Sequence, residues 1–479
     1  MDQTKKKIKP NQIALLPPDT RVFVTLINPY GEEAQKSLEL SVNTTKEELQ
    51  SILQQLVKTE EDQVYSFFHN NIELVDTLNQ LIVSDPEYKL ENTFSLTYHP
   101  QSLFRIQPIT RQTAALEGHE QPVLCVQFRT QGDVLATGSG DTTIRLWDML
   151  TETPIATLKG HKNWVLCLAW SPDCKYIASG GHDGQVCIWD VETNQLKGQP
   201  LIGHTKWVTS IAWQPMHLDE ECTLVASSSK DGSVRIWSRV SLSCLISINA
   251  HQKAITKMLW GGQGYIYTAS EDTTIGVWNK SGKRVQELKG HGHWVNSIAL
   301  HTDYTIRCAC FSEGNTEINR KQAKVLYEKM LNGKNERLVS GSDDQTLMLW
   351  EYTSSKPKVR MTGHQQQVNH VQFSPDGRYI VSASFDKSLR IWDGYNGNWI
   401  ATLRGHVGSV YQVSWSSDSR YMLSASKDST LKLWSLQKKK LAFDLPGHAD
   451  EVYAVDWAPI GGEKAGSGGK DRRVKIWRH

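Results

Sequence analysis

Hydrophobic and polar positions alternate with a period of two residues along most of the chain after residue 110. The segments WVLCLAW (164–170), YIASGG (176–181) and QVCIWD (185–190) show this pattern, and short turns rich in Ser, Pro, Asp or Gly separate them. Successive side chains of a strand point to opposite faces, so this period is typical of β-strands. Its regular return after short turns predicts a mainly β domain.

A different order of elements precedes this region. RVFVTLI and LELSV predict a strand pair, and TTKEELQSILQQL predicts a helix with Leu49, Ile52, Leu53 and Leu56 on one face. Either Thr44 with Glu47 or Thr45 with Glu48 offers a capping box for that helix. VYSFF, IELV, a short helical DTLNQLIV and a last strand TFSLTY follow. The order strand, strand, helix, strand, strand, short helix, strand resembles a ubiquitin-like β-grasp.

A fixed register repeats eight times in the second region. Each copy has a Ser or Thr, an Asp four residues later and a Trp six residues after that, with a His upstream that follows Gly in seven copies. The histidines are His119, His161, His204, His251, His291, His364, His406 and His448. The Asp and Trp residues are Asp141 and Trp147, Asp183 and Trp189, Asp231 and Trp237, Asp272 and Trp278, Asp344 and Trp350, Asp386 and Trp392, Asp428 and Trp434, and Asp471 and Trp477.

The spacing of these copies fits four-stranded propeller blades. Successive tryptophans are 41 to 48 residues apart, except for 72 residues between Trp278 and Trp350, against a period of roughly 40 to 45 for such blades. Residues 110 to 479 resemble the WD-repeat family on this Gly-His to Trp-Asp pattern. The resemblance implies an eight-bladed β-propeller. The last copy lacks an outer strand, so we expect residues 110 to 119 to pair with it and close the ring.

The long interval places an insertion in blade five, at about residues 308 to 336. Its centre, INRKQAKVLYEKML, is compatible with a helix that ends at Asn332-Gly333. We expect a helical excursion that projects from the propeller, and a solvated loop is the alternative.

Composition bounds the class of protein. The chain has 479 residues and a net charge of +2, which suits two folded domains. It contains neither an apolar run of membrane-spanning length nor a secretory signal, and its eight cysteines show no CxxC spacing. We therefore expect an intracellular protein with reduced thiols that does not enter a membrane. The run from Lys5 to Lys9 is either a nuclear import signal or a solvated tail.

Charge is distributed unevenly between the two regions. Residues 21 to 100 contain five Lys and Arg against thirteen Asp and Glu, a net charge of −8, which leaves +10 for the rest. We expect a flexible basic tail at 1–20, a ubiquitin-like domain at 21–100, a linker and closing strand at 101–115, and the propeller at 116–479. The asymmetry suggests a cationic or metal-bearing partner for the acidic head and an anionic partner, such as RNA, for the basic body.

The repeated His, Ser or Thr, Asp and Trp are interpreted as architecture. A buried Asp needs hydrogen-bond donors, and the His ring, the hydroxyl and the indole N–H are expected to supply them. Structural roles are thus assigned to the sets His119, Asp141, Trp147; His161, Asp183, Trp189; and His364, Asp386, Trp392. Because these residues recur in eight equivalent copies, and because no phosphate-binding loop or zinc-ligand cluster occurs, we expect no enzymatic activity.

The whole arrangement resembles the Notchless family of ribosome assembly factors. The resemblance rests on the head, the bridging segment FRIQPITR (104–111), and eight blades with an insert in the fifth. It implies an assembly factor of the large subunit, located in the nucleus and nucleolus, that is a monomer within the precursor particle. It also implies that the head is held by the metal-ion-dependent adhesion site of Midasin, an AAA ATPase. A scaffold in Notch signalling or a ubiquitin-ligase substrate receptor is the alternative.

In that family a metal-contacting acid precedes the last strand of the head, and Glu91 in KLENTFSLTY occupies the matching position. The resemblance implies that Glu91 completes the shell of a Mg²⁺ held by the partner, since Mg²⁺ prefers oxygen ligands. No metal or cofactor of the chain's own is expected. Asp85 and Glu87 are rivals for this role, and a solvated loop acid is the alternative.

Propellers of the WD-repeat family commonly contact partners through residues at the start of the first strand and just before the turn Asp. Carrying these offsets over gives an aromatic and basic rim, suited to protein or RNA contacts. Its members are Trp164, His182, Trp207, Lys230, Trp294, Phe385, Tyr411, Lys427, Tyr453 and Lys470. The alternative is that several of these aromatic side chains pack between blades. The run Lys438 to Lys440 is either a further contact or a solvated face.

Overall fold

A computed structural model describes residue 17, residues 20–28, 33–57, 65–69, 72–74, 77–84, 93–100, 106–308 and 318–479. The chain divides into two compact units, Met1–Arg105 and Ile106–His479. The second unit begins earlier than the propeller boundary expected at residue 116. The reason is local packing, since Ile109 is fully buried and the backbone N–H of Ile106 donates to Asp418 at 3.0 Å. The expected tail at residues 1–20 lies almost wholly outside the described residues.

The first unit is the predicted β-grasp. Its elements are β1 (Arg21–Ile27), β2 (Glu33–Ser41), α1 (Lys46–Val57), β3 (Tyr65–His69), β4 (Ile72–Glu73), α2 (Leu78–Ser84) and β5 (Phe94–Pro100). The sheet order is β2-β1-β5-β3-β4, in which β1 and β5 are parallel and the other pairs are antiparallel. A parallel central pair flanked by two antiparallel pairs is the β-grasp arrangement.

Helix α1 covers this sheet through part of its predicted apolar face. Leu49 and Leu53 are fully buried, whereas Leu56 is 36% exposed. Of the two possible capping boxes, the structure forms the second: the Glu48 N–H donates to the Thr45 hydroxyl, and the Thr45 N–H donates to the Glu48 carboxylate. This reciprocal bonding satisfies two otherwise unpaired backbone groups and fixes the helix start.

The second unit contains the remaining strands. In chain order they are β6 (Arg111–Leu116), β7 (Val123–Phe128), β8 (Val134–Ser139), β9 (Thr143–Asp148), β10 (Thr153–Lys159), β11 (Val165–Trp170), β12 (Tyr176–Gly181), β13 (Gln185–Asp190), β14 (Gln195–Leu196), β15 (Leu201–Ile202), β16 (Val208–Trp213), β17 (Leu224–Ser229), β18 (Ser233–Ser238), β19 (Ser243–Asn249), β20 (Ile255–Trp260), β21 (Tyr265–Ser270), β22 (Thr274–Asn279), β23 (Arg284–Lys289), β24 (Val295–Leu300), β25 (Arg337–Ser342), β26 (Leu347–Glu351), β27 (Val359–Met361), β28 (Val368–Phe373), β29 (Tyr379–Ser384), β30 (Ser388–Asp393), β31 (Trp399–Arg404), β32 (Val410–Trp415), β33 (Tyr421–Ser426), β34 (Thr430–Ser435), β35 (Lys440–Pro446), β36 (Val452–Trp457), β37 (Lys464–Gly469) and β38 (Val474–Arg478).

These strands form eight antiparallel blades, each built around one copy of the repeat. Seven blades have four strands, and in blade two the outer strand is split into β14 and β15. The first strand of each blade packs against the first strand of its neighbours around the ring. Side chains of adjacent blades interdigitate in the core, as Ala136, Ile144 and Leu146 of blade one do with Val165 and Ile177 of blade two. The predicted eight-bladed propeller is therefore confirmed.

The ring closes through a strand from the beginning of the unit. Strand β6 pairs antiparallel with β38 from Leu116 opposite Val474 to Arg111 opposite Arg478. Further bonds extend this closure, because the Thr110 N–H donates to the Arg478 carbonyl at 2.9 Å. The last blade thus gains the outer strand that its own sequence lacks, which is the pairing expected from the register of residues 110 to 119.

The insertion of blade five packs its described helices on the propeller, and these helices do not project as expected from the sequence. It contributes α3 (Asp303–Arg307) and α4 (Arg320–Leu331), and residues 309–317 lie outside the described part of the chain. Both helices lie across the loops that join the first and second strands of several blades. These loops are at the opposite end of the blades from the turn Asp residues, because the second strand of each blade begins at such a loop and ends at the turn.

Specific contacts attach α3 and α4 to these loops and to the ends of the first strands. Arg307 forms an ion pair with Asp456 of blade eight, and the Tyr304 hydroxyl donates to the Pro459 carbonyl at 2.8 Å. Arg320 donates to the carbonyl oxygens of His217 and Leu218 in blade three. The sequence did not predict this docking, because α4 is mostly polar and only its residues Ala323 and Tyr327 are buried.

Helix α4 is fastened by a buried carboxylate. Glu336 is 1% exposed and accepts hydrogen bonds from the Tyr327 hydroxyl at 2.8 Å, the Thr302 hydroxyl at 2.9 Å and the Gly262 N–H at 2.8 Å. Burial raises the pKa of Glu336, and these hydrogen bonds act in the opposite direction. The carboxylate thereby joins α4 and the start of α3 to a loop of blade four.

Candidate functional site

The repeated side chains of each blade form a chain of hydrogen bonds. In all eight copies His Nδ1 contacts the turn Asp, with a shortest distance of 2.7 to 3.2 Å, and His Nε2 contacts the Ser or Thr hydroxyl at 2.7 to 2.9 Å. The Trp indole N–H donates to the same hydroxyl at 2.7 to 3.0 Å. The network therefore runs from Asp through His and the hydroxyl to Trp.

Two details of the predicted network are wrong. The Ser or Thr hydroxyl of the repeat does not contact the Asp, as in blade six, where Ser382 bonds the His364 ring. The indole N–H does not donate to the Asp, as in blade six, where Trp392 donates to Ser382. Instead Asp386 accepts from the N–H and hydroxyl of Ser388, two residues later, at 3.0 and 2.6 Å. The hydroxyl can link the His ring to the Trp indole because its oxygen accepts one hydrogen bond and donates another at the same time.

The turn carboxylates are held ionised by these donors. For Asp272, burial alone would raise the pKa, but hydrogen bonds from His251 and Thr274 outweigh it and lower the pKa to about 2. The pKa values of Asp141, Asp183 and Asp386 are lowered against burial in the same way. His119, His161 and His364 are buried, as are Trp147, Trp189 and Trp392. Their position inside the blades is consistent with the structural role proposed for them.

Four predicted rim residues form a stack across blades two and three. The His182 ring lies 4.0 Å from the Trp207 ring and 6.1 Å from the Trp164 ring, measured between centroids. The Lys230 ammonium lies 4.6 Å from the Trp207 centroid, within range of a cation–π contact. Trp164 is still 50% exposed and Trp207 39% exposed. Packing between blades and exposure to a partner therefore coexist in this stack.

A second group of rim residues lies on blades six to eight. Its charge differs from that of the basic rim expected from the sequence. Phe385, Tyr411 and Tyr453 follow one another at centroid distances of 5.9 and 5.7 Å. The Tyr411 hydroxyl donates to Glu451 at 2.9 Å, and Lys470 pairs with Asp450 at 3.3 Å. The rim is therefore not basic here. The sequence already contained the acidic residues responsible, because Asp450 and Glu451 directly precede strand β36.

Two rim residues lie apart from these groups. Trp294 of blade five is 42% exposed, and its ring lies 5.5 Å from that of His293. Lys427 is exposed at the turn of blade seven. The lysines at 438 to 440 are exposed as well, at the turn before the outer strand of that blade.

The acids predicted to contact a partner's metal ion, Glu91 and its rivals Asp85 and Glu87, lie outside the described residues. Within the part of the chain that the structure describes, no group of three or more His, Cys, Asp or Glu side chains is arranged to hold a metal ion. No helix among the described residues has both the length and the apolar character needed to cross a membrane.

Two family descriptions match the chain. The description "WD domain, G-beta repeat" matches eight segments, at residues 110–148, 152–190, 196–238, 242–279, 282–316, 355–393, 397–435 and 439–478. The description "NLE (NUC135) domain" matches residues 22–82.

Several curated proteins are similar over most of the chain. Protein Notchless of Drosophila melanogaster is 46% identical over 366 residues, which are 73% of this chain and 74% of that protein. The Notchless protein homolog of Arabidopsis thaliana is 48% identical, over 75% and 77% of the two chains. Ribosome assembly protein 4 of Saccharomyces cerevisiae is 42% identical over 79% of each chain.

A solved structure supports the architecture. The computationally designed Ika8 protein superimposes with a TM-score of 0.61 at 25% identity, covering 77% of this chain and all of the designed one.

Proposed function

The chain belongs to the Notchless family, and from this premise we propose that it is a non-catalytic assembly factor of the large ribosomal subunit. The observation that carries the proposal is the 42% identity with yeast ribosome assembly protein 4 across 79% of both chains. The matched region includes a long stretch of repeats, whose fold is suited to holding partners. A place of action in the nucleus and nucleolus follows from this proposal.

Mechanistically, the protein is a coupler held at two places. The propeller docks on the precursor particle, and the head binds the adhesion site of a Midasin-type AAA ATPase. Force from ATP hydrolysis by that partner is then transmitted along the chain to the contacts of the propeller. The strand β6 at the start of the second unit supports this role, because it is hydrogen-bonded into the last blade and would carry load into the ring.

Glu91 is the residue proposed to contact the partner's metal ion. The carboxylate would replace a water in the shell of a Mg²⁺ held by the ATPase, since Mg²⁺ usually keeps several exchangeable waters. The chain itself holds no cofactor in this proposal.

Glu91→Ala tests the head contact. We expect the substitution to abolish capture by the isolated adhesion-site domain in a pull-down with Mg²⁺, because a methyl group cannot ligate the ion. Glu91→Asp should bind weakly, since its oxygens are withdrawn by about one methylene. Glu39→Ala serves as the matched control, because Glu39 is an exposed acid on β2 of the same unit. Undiminished capture by Glu91→Ala, or loss with Glu87→Ala alone, would reject the assignment.

Sedimentation tests the function as a whole. We expect the full chain to sediment with precursors of the large subunit in a sucrose gradient of nuclear extract. A peak confined to the soluble fractions would reject the proposal. It would favour the second candidate, a scaffold in Notch signalling, which is suggested by the name of the Drosophila relative.

The rim stack is the part of the propeller proposed to touch the particle. Trp207 carries exposed aromatic surface and is braced by His182 and Lys230, and braced aromatic side chains are frequent anchors of interfaces. We expect Trp207→Ala to weaken co-sedimentation by roughly tenfold or more, as loss of such an anchor does. Trp399→Ala is the control, because Trp399 is 58% exposed on the outer strand β31, away from the turn Asp.

A further inference from the structure

Blade six carries a polar groove that the proposed function does not use. The groove has a volume of about 360 Å³ and is lined by Lys387, Arg390, Arg404 and Gln365, among others. Lys387 follows the turn Asp, Arg390 lies on β30, and Arg404 ends β31 directly opposite Ser388. Three cationic side chains therefore converge from three neighbouring segments of one blade.

None of these cations forms an ion pair within the described part of the chain. Lys387 and Arg404 are exposed and form no ion pair with any described residue. Arg390 donates to the carbonyl oxygen of Gly363, and its Nε–H has no partner among the described residues. The groove's own carboxylate, Asp386, already accepts from His364, the Gln365 N–H and Ser388. A ligand that brings negative charge would meet unused donors.

The cations also repel one another. Burial lowers the pKa of the Arg390 guanidinium, the charge of Asp386 opposes this, and the charge of Arg404 lowers it further. Like charges held close together raise the energy of the unliganded groove, and an anion between them would relieve it.

The other seven blades show that this arrangement is not required by the fold. Each blade has equivalent positions after the turn Asp, on the third strand and at the end of the outer strand. Blade one has Thr142, Arg145 and Lys159, and blade eight has Arg472 and Lys475 but places Glu117 at the third position. In blade seven the cation Lys432 is paired with Asp444 at 2.8 Å. Blade six alone carries cations at all three positions.

The chemistry of the lining indicates which anion would bind. Guanidinium groups match the paired oxygens of a phosphate, and an ammonium adds a point charge. The lining contains no aliphatic or exposed aromatic side chain to hold the residues that flank a phosphoserine. A sugar–phosphate backbone needs only phosphate and hydroxyl contacts, which this groove offers.

We propose that the groove formed by Lys387, Arg390 and Arg404 binds the phosphodiester backbone of RNA. This inference rests on the proposed function in one respect: precursor ribosomal RNA is the RNA that an assembly factor would meet. The site reads charge and not sequence, because its donors reach phosphates and no stacking platform lines it.

The test is a salt titration of RNA binding by the full chain. A fluorescein-labelled oligouridylate of about 16 nucleotides is titrated by anisotropy at several KCl concentrations with wild type and Lys387→Gln/Arg404→Gln. The matched control is Lys159→Gln/Arg472→Gln, which removes the same two charges from equivalent positions of other blades, both exposed. For single strands, the slope of log K against log[salt] should fall by about 0.7 for each phosphate that the variant no longer neutralises.

We expect the blade-six variant to bind RNA more weakly and with a smaller salt slope, while the control keeps the wild-type slope. Equal slopes for both variants would overturn the proposal, as would tighter binding of a labelled phosphoserine peptide than of the RNA. Arg390→Lys keeps the charge and tests the paired geometry, and wild-type thermal unfolding of all variants excludes a folding defect. These measurements use purified components, so failure to sediment with precursors would refute the proposed function without altering their result.

Discussion

At the scale of single residues, the hydroxyl of each repeat joins the His ring to the Trp indole. Ser382 accepts from the Trp392 indole and bonds the His364 ring, and all three side chains are buried. Buried polar groups that lose a partner cannot turn to water instead, so the loss is more costly than the bond itself. Removal of the hydroxyl would therefore leave two buried groups of the network without this partner.

We expect Ser382→Ala to lower the free energy of unfolding by about 1 to 3 kcal/mol, because it leaves an indole N–H and an imidazole nitrogen unpaired. Urea unfolding followed by tryptophan fluorescence measures this. Ser355→Ala, at an exposed serine of blade five, is the control and should change stability little. Equal effects of the two substitutions would contradict the role of the hydroxyl.

His370 gives stability a dependence on pH. Burial lowers its pKa to about 3, and the charge of Lys257 adds to the effect. The unfolded chain therefore binds a proton near the ordinary pKa of 6.5, while the folded chain does not, and stability is lost as pH falls from 6.5 towards 3. Asp303 acts in the opposite direction, because burial raises its pKa to about 7.

We expect His370→Gln to be less sensitive to acid than wild type. The difference in unfolding free energy between the two chains should shift in favour of the variant as pH falls from 7 to 5, since the variant has no imidazole to protonate. Urea unfolding at each pH measures this, and a difference that does not change with pH would exclude His370 as the cause.

At the scale of elements, α4 is held by few but well-defined contacts. The Tyr327 ring stacks on His217 at 4.4 Å, and its hydroxyl donates to the buried Glu336. The opposite side of the helix is exposed, and it includes Lys321, Val325 and Lys329. A helix with so little buried apolar surface opens more readily than the blades beneath it.

We expect Tyr327→Phe to loosen α4 without unfolding the propeller. Loss of the hydroxyl removes one of the donors to Glu336 and should cost about 1 to 3 kcal/mol locally. Limited trypsin digestion reports this as faster cleavage after Lys321 and Lys329. Val325→Ala is the control, because Val325 is 62% exposed on the same helix. An unchanged cleavage rate in Tyr327→Phe would show that the hydroxyl does not fasten the helix.

At the scale of the whole second unit, stability depends on closing the ring. Blade eight is completed by β6, which comes from the beginning of the unit. The apolar core beside blade eight also contains residues from both ends of the second unit. Leu116, Val126 and Phe128 pack there with Val474 and Ile476. An open ring would expose an unpaired strand edge and the flank of a blade.

We expect deletion of residues 110 to 117 to abolish cooperative unfolding of the propeller, because β38 would lose its partner strand. Differential scanning calorimetry measures this as a broadened transition at lower temperature, accompanied by aggregation through the free edge. Deletion of residues 2 to 9 is the control and should leave the transition unchanged. Near-native unfolding of the first deletion would contradict closure by β6.

The sequence by itself determined the fold of both units. Each copy of the His, Ser or Thr, Asp and Trp register predicts one blade, because a repeat corresponds to one local structural unit. Counting the copies gives eight blades. The β-grasp order and the presence of a capping box at the start of α1 were likewise readable, because they depend on neighbouring residues. The structure decided which box forms, the one of Thr45 and Glu48.

Apart from the ring closure by β6, which the register of residues 110 to 119 already indicated, only the tertiary structure decided how distant segments meet. The docking of α4 was hidden because two buried residues in twelve leave almost no periodic signal. The acidic residues of the rim are visible in the sequence, but the hydrogen bond of Tyr411 to Glu451 joins two blades, and the convergence of Lys387, Arg390 and Arg404 joins a turn and two strands. Such contacts are set by how blades pack in space, and a pattern along the chain does not carry that information.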